Sequence, residues 1–137
     1  MLISHVGIAV KDLKVAIEKY KLLTGSDPES VEEVVDQKVR VAIFSESNAN
    51  QIGGRLELLE ATSPDSPIAR FVEKKGEGIH HICVYVDDIE AKLAELENAG
   101  LKLIDKHPRV GAGGTKIAFV HPADMGGVLL ELEEKVG

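Results

Sequence analysis

Four side chains in this sequence combine metal-binding chemistry with regular spacing. His5 and His81 are 76 positions apart, and Glu57 and Glu131 are 74 positions apart. Imidazole nitrogens and carboxylate oxygens together bind divalent first-row metal ions, with water or substrate completing an octahedron. A structural zinc site made only of thiolates is excluded because the chain has a single cysteine. The four residues therefore predict one shared metal site.

The segments that carry these residues repeat within the chain. Residues 5–20 read HVGIAVKDLKVAIEKY and residues 81–96 read HICVYVDDIEAKLAEL. Each begins with His, alternates through an apolar strand, passes Asp and continues as an amphipathic helix. The segments GRLELLEA (54–61) and GVLLELEE (127–134) close the two halves. Four markers in the same order indicate an internal repeat.

Each half of the chain reads as a strand, a helix and three further strands. In the first half, the pattern predicts a strand over residues 2–10 and a helix over 11–25, with Asp12 as N-cap and Gly25 as stop. The second long helix is expected over 87–100, and further strands near 31–36, 38–45, 54–60, 78–86, 101–106, 115–121 and 127–134. The Asn- and Gly-rich segment 46–54 is typical of a hairpin loop.

These elements predict an α+β fold of paired βαβββ modules in a single domain over residues 1–137. The first repeat covers residues 1–61 and the second covers residues 79–137. Residues 62–78 link them, and a Ser-Pro pair within this linker could start a short helix. If the two sheets curl towards each other, they form a curved mixed sheet around the metal site.

Strand periodicity places each of the four candidate ligands on the face of its strand that lies opposite the aliphatic residues. His5, Glu57, His81 and Glu131 each alternate with aliphatic residues of their strand, so one face suits packing against helices and the other carries the ligands. His80 shares the aliphatic, helix-facing side of its strand. We therefore interpret His80 as a packing residue and His81 as a ligand.

Each of these residues also has an ordinary structural interpretation. A lone His at the start of a strand is more often structural, and a Glu in an acidic strand more often faces solvent. We interpret Glu60 and Glu133 in that way and Cys83 as a small buried residue. His107 and His121 are weaker candidates, and we interpret His121 as a turn residue, with a substrate contact as the alternative. The repeat favours a shared metal site for the four ligands because it predicts the same face for all of them.

The composition restricts the class of protein. The 137 residues are 44% hydrophobic and 28% charged, as in ordinary globular domains. The net charge of −7 argues against nucleic-acid binding, which needs clustered Lys and Arg. We expect no signal peptide and no membrane span, since no apolar run approaches roughly 20 residues. With one cysteine, the sequence suits a reducing, cytoplasmic environment.

Three segments resemble a known enzyme family. HVGIAV (5–10), the stretch 56–82 and GTKIAFVHPADMGGVLLELEE (114–134) are similar to signature segments of the methylmalonyl-CoA epimerase family, within the vicinal oxygen chelate superfamily. The stretch 56–82 is the most specific of the three. The resemblance covers almost the whole chain and implies two βαβββ units that build a metal-binding trough.

The resemblance implies an activity and the roles of individual residues. The expected enzyme interconverts (2R)- and (2S)-methylmalonyl-CoA by proton abstraction at C2, through a metal-stabilised enolate. His5, Glu57, His81 and Glu131 fall on metal-ligand positions, and Glu131 is expected to act as catalytic base as well. Some epimerases carry a second catalytic Glu where this chain has Val41, so a second base is not assigned.

The family also implies a cofactor, a substrate and an assembly. The expected metal is cobalt or manganese, with zinc, nickel and magnesium as alternatives. The expected partner is an acyl-CoA substrate, and the expected assembly is a homodimer. Arg109, Gly113, Lys116 and His121 are candidates for substrate contacts, because the glycine-rich stretch RVGAGG (109–114) lets a ligand approach the backbone closely.

Three other functions of the superfamily remain as alternatives. Glyoxalase I (lactoylglutathione lyase) uses similar proton chemistry and a ligand set that this chain could supply, but the chain has HPADMGG where bacterial glyoxalases usually carry a DPDG-type turn. A ring-cleaving dioxygenase needs two His and one carboxylate, so Glu57 is an extra ligand. A drug-resistance binding module has an aromatic groove, whereas this chain has no Trp and only 4% aromatic residues.

Overall fold

The computed structural model describes residues 1–45 and 54–136, which divide into two compact units. The first unit comprises His5–His80. The second comprises Met1–Ser4 together with the segment that begins at His81. Each unit contains one of the two repeats that the sequence predicts.

The first unit follows the predicted order of strand, helix and three strands. The strands lie in the order β2–β3–β4–β1, with β1 parallel to β4 and the other neighbours antiparallel. A second helix follows the last strand, in the predicted linker. The elements are β1 (Ile3–Ala9), which enters this unit at His5, α1 (Leu13–Thr24), β2 (Ser30–Val34), β3 (Val39–Phe44), β4 (Arg55–Ala61) and α2 (Pro67–Lys75).

The second unit repeats this arrangement. Its strands lie in the order β5–β8–β7–β6, with β5 parallel to β8 and the other neighbours antiparallel. The elements are β5 (Gly78–Val86), which enters this unit at His81, α3 (Ile89–Asn98), β6 (Arg109–Val110), β7 (Lys116–Val120) and β8 (Leu130–Glu134). The α+β class and the βαβββ order of each repeat are therefore confirmed.

The helix boundaries follow the predicted capping residues. The Asp12 carboxylate accepts a hydrogen bond from the Val15 N–H at the start of α1, and Gly25 ends the helix with φ 76°. Ser66 caps α2 in the same way through the Ile68 N–H, ahead of a proline in the first turn.

The strand predicted over residues 101–106 is wrong. Leu103 forms only an isolated bridge with Val120, and the second strand of this repeat is instead β6. The N–H groups of Ile104 and Asp105 both donate to the carbonyl of Phe119, at 3.0 and 3.2 Å. Two consecutive residues that bond to one carbonyl break the alternation of a strand. The hairpin loop predicted for residues 46–54 lies outside the described residues, apart from Gly54.

Apolar packing covers one sheet face in the second unit and both faces in the first. In the second unit, α3 covers Val84, Ala118, Val120 and Leu132, opposite the face of the candidate ligands. In the first unit, α1 covers the corresponding face, and α2 packs on part of the other face. Val41 belongs to this α2 core and is 2% exposed. Val41, which stands at the position of the unassigned second base, is thus an aliphatic packing residue.

Among residues 1–45 and 54–136, no helix is both long enough and apolar enough to cross a membrane.

Candidate active site

The first unit contains a buried His–Glu pair. Parallel pairing of β1 and β4 sets Glu57 opposite Gly7, and His5 lies two residues before Gly7 on the same face. Nδ1 of His5 is 3.2 Å from Oε2 of Glu57, and both residues are 4% exposed. An Arg55 guanidinium nitrogen lies 3.8 Å from the same carboxylate oxygen. The first pair therefore has a cation beside its carboxylate.

The second unit contains the equivalent pair in the same register. Parallel pairing of β5 and β8 sets Glu131 opposite Cys83, and His81 lies two residues before Cys83. Nε2 of His81 is 3.0 Å from Oε1 of Glu131, and both residues are 6% exposed. Each predicted His thus meets the predicted Glu of its own repeat, and the internal symmetry extends to the side chains.

The two adjacent histidines of β5 have different surroundings, as strand alternation predicts. His80 meets Phe71 of α2 edge-to-face, with ring centroids 5.0 Å apart. His81 is buried beside Glu131 in the second unit. His80 is therefore a packing residue, and His81 belongs to the candidate site.

Each pair has the donors and the spacing that a divalent metal ion requires. Two adjacent ligands of an octahedral ion, with bonds of about 2.1 Å, lie about 3.0 Å apart. The nitrogen–oxygen distances in the two pairs are 3.2 and 3.0 Å. The same spacing suits an N–H···O contact between the imidazole and the carboxylate of each pair. The donor chemistry of both pairs therefore fits a divalent metal ion.

Phe119 is the aromatic neighbour of the second pair. It is the cross-strand partner of Glu131, and its ring centroid lies 5.8 Å from that of His81 at an angle of 85°. The guanidinium of Arg109 lies over the Phe119 ring, 5.4 Å from its centroid. The sequence pattern did not identify Phe119, although its pairing opposite Glu131 places both residues on the same face of the sheet.

Two glutamates differ from the interpretation that they face solvent. Glu133 is 5% exposed, and its carboxylate accepts hydrogen bonds from Ser4 Oγ at 2.6 Å and from the buried Cys83 thiol at 3.8 Å. Glu60 is half-buried; it accepts a hydrogen bond from the Leu13 N–H and pairs with Arg40. Glu133 lies two positions after Glu131 and therefore on the same face of β8, so strand periodicity could have predicted that it is buried.

The predicted substrate contacts lie at three different places in the second unit. Arg109 pairs with Ile117 across the β6–β7 ladder, so it shares the face of Phe119 and Glu131. Gly113 lies in the turn between these strands with φ 77°, and Lys116 starts β7 on the α3 side. His121 follows the other end of β7, where Nδ1 accepts a hydrogen bond from the Ala123 N–H.

The sequence of the chain matches a known family over most of its length. A family model described as "Glyoxalase/Bleomycin resistance protein/Dioxygenase superfamily" matches residues 4–119. The chain belongs to this superfamily. The resemblance that was inferred from the repeats and signature segments is thereby confirmed.

Several relatives and solved structures that are similar to this chain are methylmalonyl-CoA epimerases. The mitochondrial methylmalonyl-CoA epimerase of Homo sapiens is 37% identical over 133 residues, covering 96% of this chain and 73% of the relative. The ethylmalonyl-CoA/methylmalonyl-CoA epimerase of Cereibacter sphaeroides is 37% identical over 134 residues, covering 96% of each. A solved methylmalonyl-CoA epimerase in complex with methylmalonyl-CoA and NH4+ has a TM-score of 0.91 at 34% identity, covering 99% of this chain and 95% of that one.

Proposed function

We propose that this chain is a methylmalonyl-CoA epimerase, which interconverts the (2R) and (2S) epimers of its substrate. The observation that carries the proposal is the buried His81–Glu131 pair, with 3.0 Å between Nε2 and Oε1. This pair sets a carboxylate in a position from which water is largely excluded. The epimerases among the relatives support the substrate class, and the acyl-CoA complex of one of them supports a CoA thioester as ligand.

In this proposal Glu131 is the base that moves the C2 proton. One carboxylate oxygen takes the proton, and the electron pair of the broken C–H bond passes into the thioester carbonyl, which gives a planar enolate. A proton from a second donor, which is not assigned to a residue, then adds to the opposite face of C2 and forms the other epimer, and Glu131 releases its own proton before the next turnover. The His81 imidazole lies beside Oε1 of Glu131 and limits the directions that the carboxylate can take. Burial keeps competing water away from the enolate.

Four residues would hold the metal ion that the family leads us to expect. They are His5, Glu57, His81 and Glu131, with cobalt or manganese as the expected ion. When bound, such an ion supplies Lewis-acid stabilisation for the negative charge of the enolate. The support from this chain is the burial of the donors and the spacing within each pair.

The remaining roles extend the same proposal. Arg109 shares the face of Glu131, and its planar guanidinium suits a carboxylate or phosphate of the substrate. Gly113, Lys116 and His121 stay predictions as substrate contacts. The single domain over residues 1–137, the homodimer and the cytoplasmic location also stay predictions.

Glyoxalase I is not favoured as the alternative function. The named relatives and structural neighbours described above are epimerases. A glyoxalase would act on a glutathione hemithioacetal, whose reacting carbon carries no carboxylate and which has no CoA moiety. The two activities are therefore separated by offering each substrate to the same protein preparation.

Deuterium uptake at C2 of methylmalonyl-CoA tests the proposal. The protein is incubated with one epimer in heavy water, with Co²⁺, with Mn²⁺ or with a chelator. We expect deuterium at C2 together with loss of chirality in the metal-containing samples, and neither in the chelated sample. Lack of exchange with every metal, together with turnover of the hemithioacetal, would contradict the epimerase and favour glyoxalase I.

A further inference from the structure

The ring of Phe119 contacts the proposed catalytic pair directly. Phe119 lies opposite Glu131 in the antiparallel β7–β8 ladder. Its ring meets the imidazole of His81 at 85°, with 5.8 Å between the centroids. This edge-to-face arrangement is a favoured geometry for two aromatic rings and restrains the orientation of both. The restraint acts on the imidazole whose Nε2 faces the Glu131 carboxylate.

Phe119 is itself held by two charged residues. Its N–H donates to Oδ2 of Asp105 at 2.8 Å, and its carbonyl accepts from the Asp105 N–H. The Arg109 guanidinium lies over the ring and pairs with the Asp105 carboxylate at 3.6 Å. Asp105, Arg109 and Phe119 thus form a closed set of contacts, the Phe119 bracket. The irregular segment that replaces the predicted strand over residues 101–106 supplies one side of this bracket.

We infer that Phe119 is a positioning residue: its ring, held by Asp105 and Arg109, fixes the orientation in which His81 meets Glu131. The inference rests on the proposed function for its catalytic meaning, because it assigns Phe119 to the site of that reaction. The orientation of the His81 imidazole can be tested without reference to any substrate. A phenylalanine has no group that exchanges protons, so Phe119 acts only through His81.

The chain supplies a matched control for this contact. Phe71 meets His80 with 5.0 Å between the ring centroids and an angle of 83°, which is the same edge-to-face geometry. Both residues of this contact lie in the first unit, and His80 is not a candidate ligand. Phe71→Leu therefore removes a similar aromatic contact to a histidine without touching the His81–Glu131 pair.

The test compares Phe119→Leu, Phe119→Tyr and Phe71→Leu as full-length proteins. We expect Phe119→Leu to lower kcat by up to about tenfold, the range of one aromatic contact, with little change in KM. Phe119→Tyr keeps the ring and should retain near-normal kcat. Phe71→Leu should leave kcat unchanged at a comparable loss of thermal stability. Equal kcat values for the two Leu variants would overturn the inference.

Crystal structures of the metal-free variants separate this inference from the proposed function. We expect the imidazole of His81 in Phe119→Leu to turn away from Glu131, so that the 3.0 Å contact is lost or split between two rotamers. An unchanged contact would overturn the inference even in a fully active enzyme. A turned imidazole in a protein without epimerase activity would support the positioning role and contradict only the proposed reaction.

Two further variants cover the case in which Phe119→Leu fails to fold. Phe119→Met keeps most of the side-chain volume without the ring, and it should show the same fall in kcat. Asp105→Ala weakens the bracket, and its effect should not add to that of Phe119→Met in the double variant, since both act through one contact. Additive effects on kcat would contradict the bracket.

Discussion

The His5–Glu57 and His81–Glu131 pairs occupy the same register in their repeats but have different neighbours. The carboxylate of Glu57 has the Arg55 guanidinium 3.8 Å away, whereas the His81–Glu131 pair has the ring of Phe119. A nearby cation stabilises a carboxylate in its charged form and makes it a poorer proton acceptor. Under the proposed function, the same backbone geometry therefore serves two roles, a metal ligand in the first repeat and a base in the second.

The largest expected effect comes from removing the proposed base. Glu131→Gln keeps the size of the side chain and an oxygen donor but cannot accept the C2 proton. We expect kcat for methylmalonyl-CoA to fall by about 10²- to 10⁴-fold, with partial retention of metal. Steady-state kinetics and metal analysis of the same sample check this. Near-normal turnover would show that the two carboxylates do not differ in the proposed way.

The second test breaks the first pair and compares it with the packing histidine. His5→Ala removes one proposed ligand, and we expect its affinity for Co²⁺ to fall by at least about tenfold. His80→Ala removes an edge contact to Phe71 and should bind Co²⁺ like the wild type. Isothermal titration of the three proteins measures the difference. A reversed result would contradict the assignment of strand faces.

A third test concerns the turn between β6 and β7, which connects Arg109 to the strand that carries Phe119. A Cβ at Gly111 would lie 2.8 Å from Cγ2 of Ile117, whose side chain is buried. We expect Gly111→Ala to lower the free energy of unfolding by about 1–3 kcal/mol, because the packed side chain must shift. Denaturant unfolding measures this change. An unaltered denaturation midpoint would contradict this, because it would mean that the side chain of Ile117 can shift without loss of stability.

The smallest effect is expected for a charge of the first unit outside both pairs. Hydrogen bonds from Lys38 and Ser63 lower the pKa of Asp65 from 3.8 to about 2. A lowered pKa means that the contribution of Asp65 to stability is present above about pH 4 and is lost as the pH falls through about 2. Asp65→Asn should therefore keep full activity at pH 7.

The melting temperature of Asp65→Asn should fall less between pH 7 and pH 2 than that of the wild type, because the variant lacks the contribution of the Asp65 carboxylate. Because Asp65 is exposed, the difference should be small. A clear loss of epimerase activity in Asp65→Asn at pH 7 would contradict the placement of Asp65 outside the functional site.

The repeat and the alternation of strands predicted the fold of each unit and the faces on which His5, Glu57, His81 and Glu131 lie. The prediction succeeded because strand periodicity and helix caps are local patterns that recur in both halves. The strand over residues 101–106 failed because its alternating sequence is overridden by two N–H groups that share the Phe119 carbonyl. That bond depends on a tertiary contact, which periodicity does not contain.

The residues around the pairs show the same limit. Glu133 was interpreted as solvent-facing because acidic strands usually are, yet Ser4 and Cys83 hold its carboxylate in the interior. Phe119 could be placed on the correct face, but its contact with His81 required the register between β7 and β8. Which neighbours meet across a sheet is set by the register between two strands, and the alternation within one strand does not contain it.

The most direct test of the difference between the pairs is deuterium exchange at C2 in Glu57→Gln and Glu131→Gln. Both variants lose one carboxylate and keep an oxygen donor, and each is assayed with bound Co²⁺ measured and exchange expressed per metal ion. We expect measurable exchange in Glu57→Gln and exchange at the background level in Glu131→Gln. Equal exchange in the two variants, or exchange retained only in Glu131→Gln, would contradict the assignment of the base.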